Sequence, residues 1–392
     1  MRILHVITTL NPSCGGPPRV AARLAAGQAA LGHDVTIATH RLTDSTEDLR
    51  GMTKLLPGFD RVRVVEIERG GVAGAFLAHH ARPVLRQLIA EVDVVHLHDV
   101  WDSLVRTAGE QARRAGKPYL LQPNDSLNPW SLNQKKLKKR LALALTYRRM
   151  IEGSAAVIFG HSEEKRLVSQ NGFRIDPVVA GLGGVFREEV EPLPARGEFF
   201  RRVPQLRGRP FVVFLSRLHP KKGLDFLAEG FAVAARAVPD LQLVVIGHDE
   251  GAREDFQRRI AGNGLTDRVH LVGPMHGQAK WEAYRDAVCF CLPSRDEAFT
   301  VAIIEALACG LPVVISEACH FDDVGEYQAG FIVPLEPARI GDAIVRLCTD
   351  HALRGRMSQA AKRLFADRLC FNQVARDVVA VYEKCIAGRI RA

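Results

Sequence analysis

Two glutamates separated by seven residues, Glu297 and Glu305, are the first candidates for chemistry in this chain. They lie in the run Pro293-Ser294-Arg295-Asp296-Glu297-Ala298-Phe299-Thr300, which leads into the apolar stretch Val301 to Leu307. Thr300 fits a helix N-cap, and Gly310 followed by Pro312 marks the helix end. A helix N-terminus offers free N–H groups to an anion. Glu305, among Ile303, Ile304, Ala306 and Leu307, needs a partner, because burying an unpaired carboxylate is expensive. Ligand hydroxyls can be that partner. A basic counterpart stands in Ser216-Arg217-Leu218-His219-Pro220-Lys221-Lys222-Gly223. The guanidinium fork of Arg217 and the ammonium of Lys222 suit a diphosphate. Taken alone, the same segment reads equally well as a solvated turn. Eight helical residues span about 12 Å, whereas glycosidase carboxylates stand about 5–9.5 Å apart. That argues mildly against hydrolysis and fits better with one carboxylate at each end of an elongated ligand.

Strands and helices must position these residues. Short apolar strands are predicted over 3–8, 35–39, 62–67, 92–97, 118–122, 155–159 and 177–181. Helices are predicted over 20–31, 82–90 and 103–115, in alternation with the strands. The stretch 188–210 carries four prolines and five arginines and reads as a linker. Strand–helix alternation then restarts with strands over 211–216, 241–246, 269–272, 288–292 and 312–315, and 338–392 is mostly helical. This pattern predicts an α/β protein of two Rossmann-like, doubly wound domains facing a cleft. Their expected extents are 1–190 and 211–370, with a linker at 191–210 and a C-terminal helix, 371–392, packing back on the first domain. In such sheets ligands bind outside the carboxyl ends of the strands. Both basic and acidic motifs follow predicted strands, so they fall on that edge.

Composition is that of an ordinary globular chain: 392 residues, 47% hydrophobic and 25% charged. This excludes disordered and fibrous classes. The 53 basic residues outnumber the 44 acidic ones, for a net charge of +9 that points to an anionic partner. None of the eight cysteines forms a CxxC pair or a zinc pattern, so reduced core thiols are expected. Neither a signal-peptide pattern nor a run of about 18 apolar residues occurs. Export and membrane insertion are therefore not expected, and surface attachment stays open.

The charge is concentrated. No acidic residue lies between Asp125 and Glu152, a stretch holding Lys135, Lys136, Lys138, Lys139, Arg140, Arg148 and Arg149. Leu137, Leu141 and Leu145 recur at helical spacing, and Trp130 precedes them. One reading is a surface for anionic lipid. The other is a helix packed on its own sheet by those leucines, with solvated lysines outside.

In this order and spacing the motifs resemble the retaining GT-B glycosyltransferases of family 4 (glycosyl transferases group 1). Glu297 and Glu305 reproduce that family's E-x7-E motif, and Ser216 to Gly223 resembles its Arg/Lys loop. Gly15-Gly16 is similar to its glycine-rich loop, and Leu31-Gly32-His33-Asp34-Val35 to its second-strand entry. Pro293-Ser294 and Gly310-Leu311-Pro312-Val313-Val314 fit as well, so the resemblance covers nearly the whole chain. It implies a nucleotide-diphosphate sugar bound mainly by the second domain. Arg217, Lys222 and the amides around Phe299 and Thr300 would hold the diphosphate. Glu305 would bind ribose hydroxyls, Glu297 the donor sugar, and Gly15 and Gly16 would admit close backbone approach. Arg217 and Lys222 would stabilise the charge growing on the leaving group. Transfer with retention needs no metal or other cofactor in this scheme, and no Asp-x-Asp motif occurs.

The chain departs from the family at Asn124, where relatives often have His; His98 is the nearest candidate substitute and shares a strand face with His96, although a strand-end His is somewhat more often structural than catalytic. Gly183-Gly184-Val185 and Gly247-His248-Asp249 are further departures. Relatives often act on lipid-linked acceptors at the cytoplasmic face, which makes Trp130, Lys135, Lys136, Lys138, Lys139 and Arg140 the expected acceptor and membrane side and implies a cytoplasmic protein, peripheral on the inner face of the cell membrane. The resulting expectation is a glycosyltransferase using a glycan or lipid-linked acceptor in surface polysaccharide or glycolipid synthesis, with no nucleic-acid partner. The alternatives are a GT-B sugar-nucleotide epimerase and a non-catalytic protein that binds anionic membranes.

Overall fold

A computed structural model describes residues 1–11, 14–41, 53, 56–70, 78–181, 183–297 and 300–388. The chain forms two compact units, Met1–Phe186 with Phe371–Ala392, and Arg187–Cys370.

The first unit is built on β1 (Arg2–Val6), β2 (Asp34–His40), β3 (Arg63–Ile67), β4 (Val94–His98), β5 (Tyr119–Gln122), β6 (Ala156–Phe159) and β7 (Pro177–Val179). All pair in parallel, in the order β3-β2-β1-β4-β5-β6-β7. Successive side chains of β1 serve opposite faces. Leu4 and Val6 join one core with Leu85, Leu97 and Ile151, while Ile3 joins another with Ala25, Val35 and Val374. Both faces are covered, which is why β4 and β5 are buried along their whole length. The helix Phe371–Ile386 completes the second of these cores. It enters the unit through Phe371, whose N–H donates to Val185 O at 3.0 Å and whose ring stands 5.3 Å from that of Phe186.

The second unit holds β8 (Phe211–Leu215), β9 (Gln242–Ile246), β10 (Val269–Gly273), β11 (Cys289–Leu292), β12 (Val313–Ser316) and β13 (Gly330–Val333). They too are all parallel, in the order β10-β9-β8-β11-β12-β13. The stretch 191–210 differs from the expected linker, because it packs as part of this unit. Phe199, in the short helix Glu198–Arg202, is buried with its ring 5.5 Å from that of Phe211. Asp286 accepts from the N–H groups of Gly197 and Phe199 at 2.7 and 3.0 Å, and Arg202 pairs with Glu282 at 3.0 Å.

All eight cysteines are free, six of them buried. Among the described residues no helix is long and apolar enough to cross a membrane.

Candidate active site

In each sheet the chain leaves the first strand toward one side and later returns to the other. The carboxyl ends at that reversal are where a crevice opens in α/β folds. In the second unit the reversal lies between β8 and β11. The loops that follow these two strands carry the Arg/Lys segment and the glutamate segment, so topology alone brings both motifs to one place.

The two loops are clamped together by backbone. Arg295 N–H donates to Lys221 O at 2.8 Å, and Ser294 Oγ donates to the same oxygen at 2.9 Å. Arg295 also holds Asp225 through two contacts, the shorter 2.5 Å. Gly223 sits at φ +68°, and a Cβ there would lie 1.8 Å from Pro293 O. Only glycine lets the loops approach this closely. The clamp sets Lys222 Nζ 2.6 Å from Glu297 Oε1, with side chains only 10% and 6% exposed. The two motifs therefore meet as one buried ion pair.

Arg217 is exposed and pairs with Glu250 at 2.7 Å, on the loop after β9. His248 stands 2.9 Å from the other oxygen of that carboxylate. These contacts hold Glu250 well toward its ionised form, the His248 bond acting most strongly. Glu305 lies inside the helix Val301–Ala308, buried as its neighbours require. Its partners are protein groups that no motif announces: Lys280 Nζ donates to Oε1 at 2.5 Å, and Tyr284 O–H donates to Oε2 at 3.2 Å. Burial first, then the nearby Glu305 charge, push the Tyr284 hydroxyl far above its usual range. Thr300 is the N-cap residue of this helix, but its side chain makes no capping bond. Its Oγ1 is buried with no hydrogen-bond partner among the described residues. A helix start left unsatisfied in this way suits an incoming anion. Phe299 lies outside the described residues.

In the first unit the reversal lies between β1 and β4. Gly15 caps the helix Gly16–Ala30 at φ +103°, ψ −149°, backbone that side chains do not adopt, and both Gly15 and Gly16 are exposed. His98 does not fit the catalytic role considered for it. It is fully buried, with Nε2 2.9 Å from His5 Nδ1. His5 Nε2 donates to Gln28 Oε1 (2.7 Å), Gln28 Nε2 to Tyr382 O–H (3.1 Å), and Tyr382 O–H to His96 Nδ1 (2.6 Å). His96 and His98 do share a face, their rings stacked 4.4 Å apart. Burial pushes His5 down to about 4 and holds His96 and His98 well below their usual range, so all three are neutral. This is a core network that ties the C-terminal helix to the sheet.

The residues that reach the strand edge are the next ones along. Asp99 and Asn124, just beyond β4 and β5, have φ of +64° and +49°, and Asp125 has +63°. Asn124 Nδ2 lies 3.5 Å from Asp99 Oδ1. Burial raises the Asp99 carboxyl to about 6. Asp and Asn are the non-glycine residues that adopt left-handed backbone most readily, and here they make the turns that leave the two strand ends. Alternating hydrophobicity carries no signal for them.

The basic stretch forms the helices Pro129–Asn133, Lys136–Ala142 and Arg148–Glu152, with a π-helical turn, Leu143–Tyr147, between the last two. Met150 and Ile151 are buried, but Leu137, Leu141 and Leu145 are 81%, 62% and 70% exposed and Trp130 is 74% exposed. The leucine stripe does not pack on the sheet. Lys135, Lys136, Lys138 and Arg140 are exposed, whereas Lys139 donates to Ser131 O at 2.6 Å and lies 4.9 Å over the Trp101 ring.

Two parallel Rossmann-like units of this kind define the GT-B architecture. The same architecture is found in the Anabaena protein HepE in complex with UDP-glucose, which matches 98% of this chain and 100% of its own at TM-score 0.68 and 17% identity. The glycosyl transferases group 1 family matches residues 196–364, and the glycosyl transferase 4-like domain matches residues 15–183. The phosphatidyl-myo-inositol mannosyltransferase of Mycobacterium leprae is 31% identical over 188 residues, covering 46% of this chain and 49% of that protein. The D-inositol 3-phosphate glycosyltransferase of Jonesia denitrificans is 26% identical over 426 residues, covering 98% and 95% respectively. The chain belongs to the group 1 glycosyltransferases and is a hexosyltransferase-type enzyme.

Proposed function

We propose that this glycosyltransferase moves a sugar, with retention, from a nucleotide-diphosphate sugar to a glycan or lipid-linked acceptor of surface polysaccharide or glycolipid synthesis. The observation that carries the reading is the buried Lys222–Glu297 pair at the reversal between β8 and β11. When the glycosidic bond to the diphosphate breaks, negative charge grows on the departing oxygens. Lys222, Arg217 and the uncapped start of the helix Val301–Ala308 offer fixed positive potential there. Stabilisation of this kind acts in place before the reaction and costs no reorganisation during it. Glu297, tied to Lys222, faces the cationic sugar of an oxocarbenium-like, same-face transfer. Glu305 accepts from ribose hydroxyls, with Lys280 and Tyr284 fixing its orientation. With side chains neutralising the leaving group, the scheme calls for no metal. An epimerase is not favoured, since both matching family descriptions are of glycosyl transferases.

In this reading the enzyme works at an anionic membrane, on its cytoplasmic face, through the exposed leucines and lysines of 130–145. The test incubates the protein with a panel of nucleotide sugars and follows nucleotide release with and without lipid extract. Arg217→Ala, at an exposed position, should lower release without unfolding the protein. Release unchanged in both Arg217→Ala and Glu297→Ala would defeat the site assignment. Vesicle pelleting with Lys135, Lys136, Lys138 and Lys139 changed to Gln tests the membrane clause, which fails if binding is undiminished.

A further inference from the structure

Beside the exposed leucines lies a groove of about 530 Å³ in the first unit. Its ionisable lining groups are Lys136, Lys139, Arg140 and Arg148, and no carboxylate lines it. Two of these cations are fixed. Lys139 is held by Ser131. Arg148 donates to Glu152 Oε1 at 2.8 Å and lies 5.1 Å over the Phe173 ring. The other two, Lys136 and Arg140, stand one helical turn apart, exposed, with no acidic partner among the described residues. The groove thus has two cations, Lys136 and Arg140, that no acidic group among the described residues neutralises. Its remaining surface includes Pro129, Leu132, Leu143 and Phe173. A small hydrated anion has no use for such a floor, whereas an amphiphile does.

The sequence register connects this groove to the leucine stripe. Leu137, Leu141 and Leu145 each follow a groove residue, Lys136, Arg140 and Ala144, by one position. One helical wall therefore presents cations to the groove and leucines to solvent. We propose that the groove is a headgroup site for an anionic phospholipid, its phosphate between Lys136 and Arg140 and its acyl chains beside Leu137, Leu141 and Leu145. This deepens the membrane clause of the proposed function and rests on it. It adds that docking recognises a phosphate at a defined place, where diffuse attraction would count charges wherever they sit.

The full chain is floated with vesicles of phosphatidylcholine alone and of phosphatidylcholine with phosphatidylglycerol or phosphatidic acid. Two double variants remove equal charge from one helix region: Lys136→Gln/Arg140→Gln inside the groove, and Lys135→Gln/Lys138→Gln outside it. Unchanged melting temperatures show that both remain folded. Diffuse attraction at about fivefold per charge makes both fall by roughly 30-fold. The groove site makes the inside pair fall at least about tenfold further, since it also loses charge-assisted hydrogen bonds. Equal losses overturn the site while leaving membrane binding intact. No binding of the unaltered protein to anionic vesicles overturns both, and nucleotide release without lipid reports separately on the transferase reading. Calorimetry with glycerol phosphate is the last arm: heat that disappears in the inside pair would reassign the groove to a soluble phosphate ester.

Discussion

Removing one partner of the Lys222–Glu297 pair should damage stability far more than removing both. At 2.6 Å and side-chain exposures of 10% and 6%, the pair has almost no water to screen it. An effective dielectric of about 20 gives an attraction of about 6 kcal/mol at that separation. Desolvating the two ions costs several kcal/mol each, so the intact pair comes out near balance. Glu297→Leu or Lys222→Met alone keeps one desolvated charge and loses the attraction, at a cost of about 3–5 kcal/mol. For a unit of this size that is a drop of about 6–20 °C in melting temperature. The double variant, apolar and of similar volume, should be more stable than either single one and yet release no nucleotide from sugar donors. Urea unfolding gives the stabilities, and nucleotide release gives the activity. Strictly additive losses would refute the reading of the pair as a coupled buried unit. A double variant with full transfer activity would remove it from the chemistry.

Gly223→Ala places a Cβ 1.8 Å from Pro293 O at φ +68°, so it should cost more than about 4 kcal/mol in urea unfolding; a neutral result would mean the two loops are not clamped. Glu305→Gln should weaken nucleotide-sugar binding about tenfold, the value of one charge-assisted hydrogen bond, as read by calorimetry. An unchanged Kd would take Glu305 out of the donor site. Burial raises Asp99 to about 6 and Glu164 to about 7, so the folded chain keeps these protons where the unfolded chain has released them. Stability present at low pH is therefore lost as pH rises through those values, by roughly 3 kcal/mol per group. Asp99→Asn should remove the part of that slope near pH 6 in denaturant midpoints taken across the range, and a profile identical to the unaltered protein's would contradict this placement.

Much of the architecture was legible because parallel strands covered on both faces are short, uninterrupted apolar runs, as in Phe211 to Leu215 and Cys289 to Leu292. β13 escaped notice because its four residues begin at Gly330 and carry little pattern of their own. The prolines and arginines of 191–210 look like a linker, and only the distant Asp286 and Glu282 make the stretch part of a unit. In the site, motif order brought Lys222 and Glu297 together, but Lys280 and Tyr284 had no reason to be read as partners of Glu305. Strand alternation put His96 and His98 on one face. It could not say that the face is covered by Tyr382, 286 residues further along. For the leucine stripe, spacing gave the periodicity, while the π-helical turn Leu143–Tyr147 separates the packed end from the exposed one.

The return of Phe371–Ile386 to the first unit bears on how the protein is made. Chains emerge from the ribosome N-terminus first, and domains ordinarily complete themselves in that order. Here the order is reversed. Arg187–Cys370 is continuous and has every strand of its sheet as soon as it has been synthesised. The first 186 residues must wait, with Ile3, Ala25 and Val35 lacking the cover of Val374 and Val378, and His96 lacking the Tyr382 hydroxyl. The half of the enzyme translated first is thus the half finished last. Throughout synthesis of the second unit it presents an apolar face for chaperones to guard.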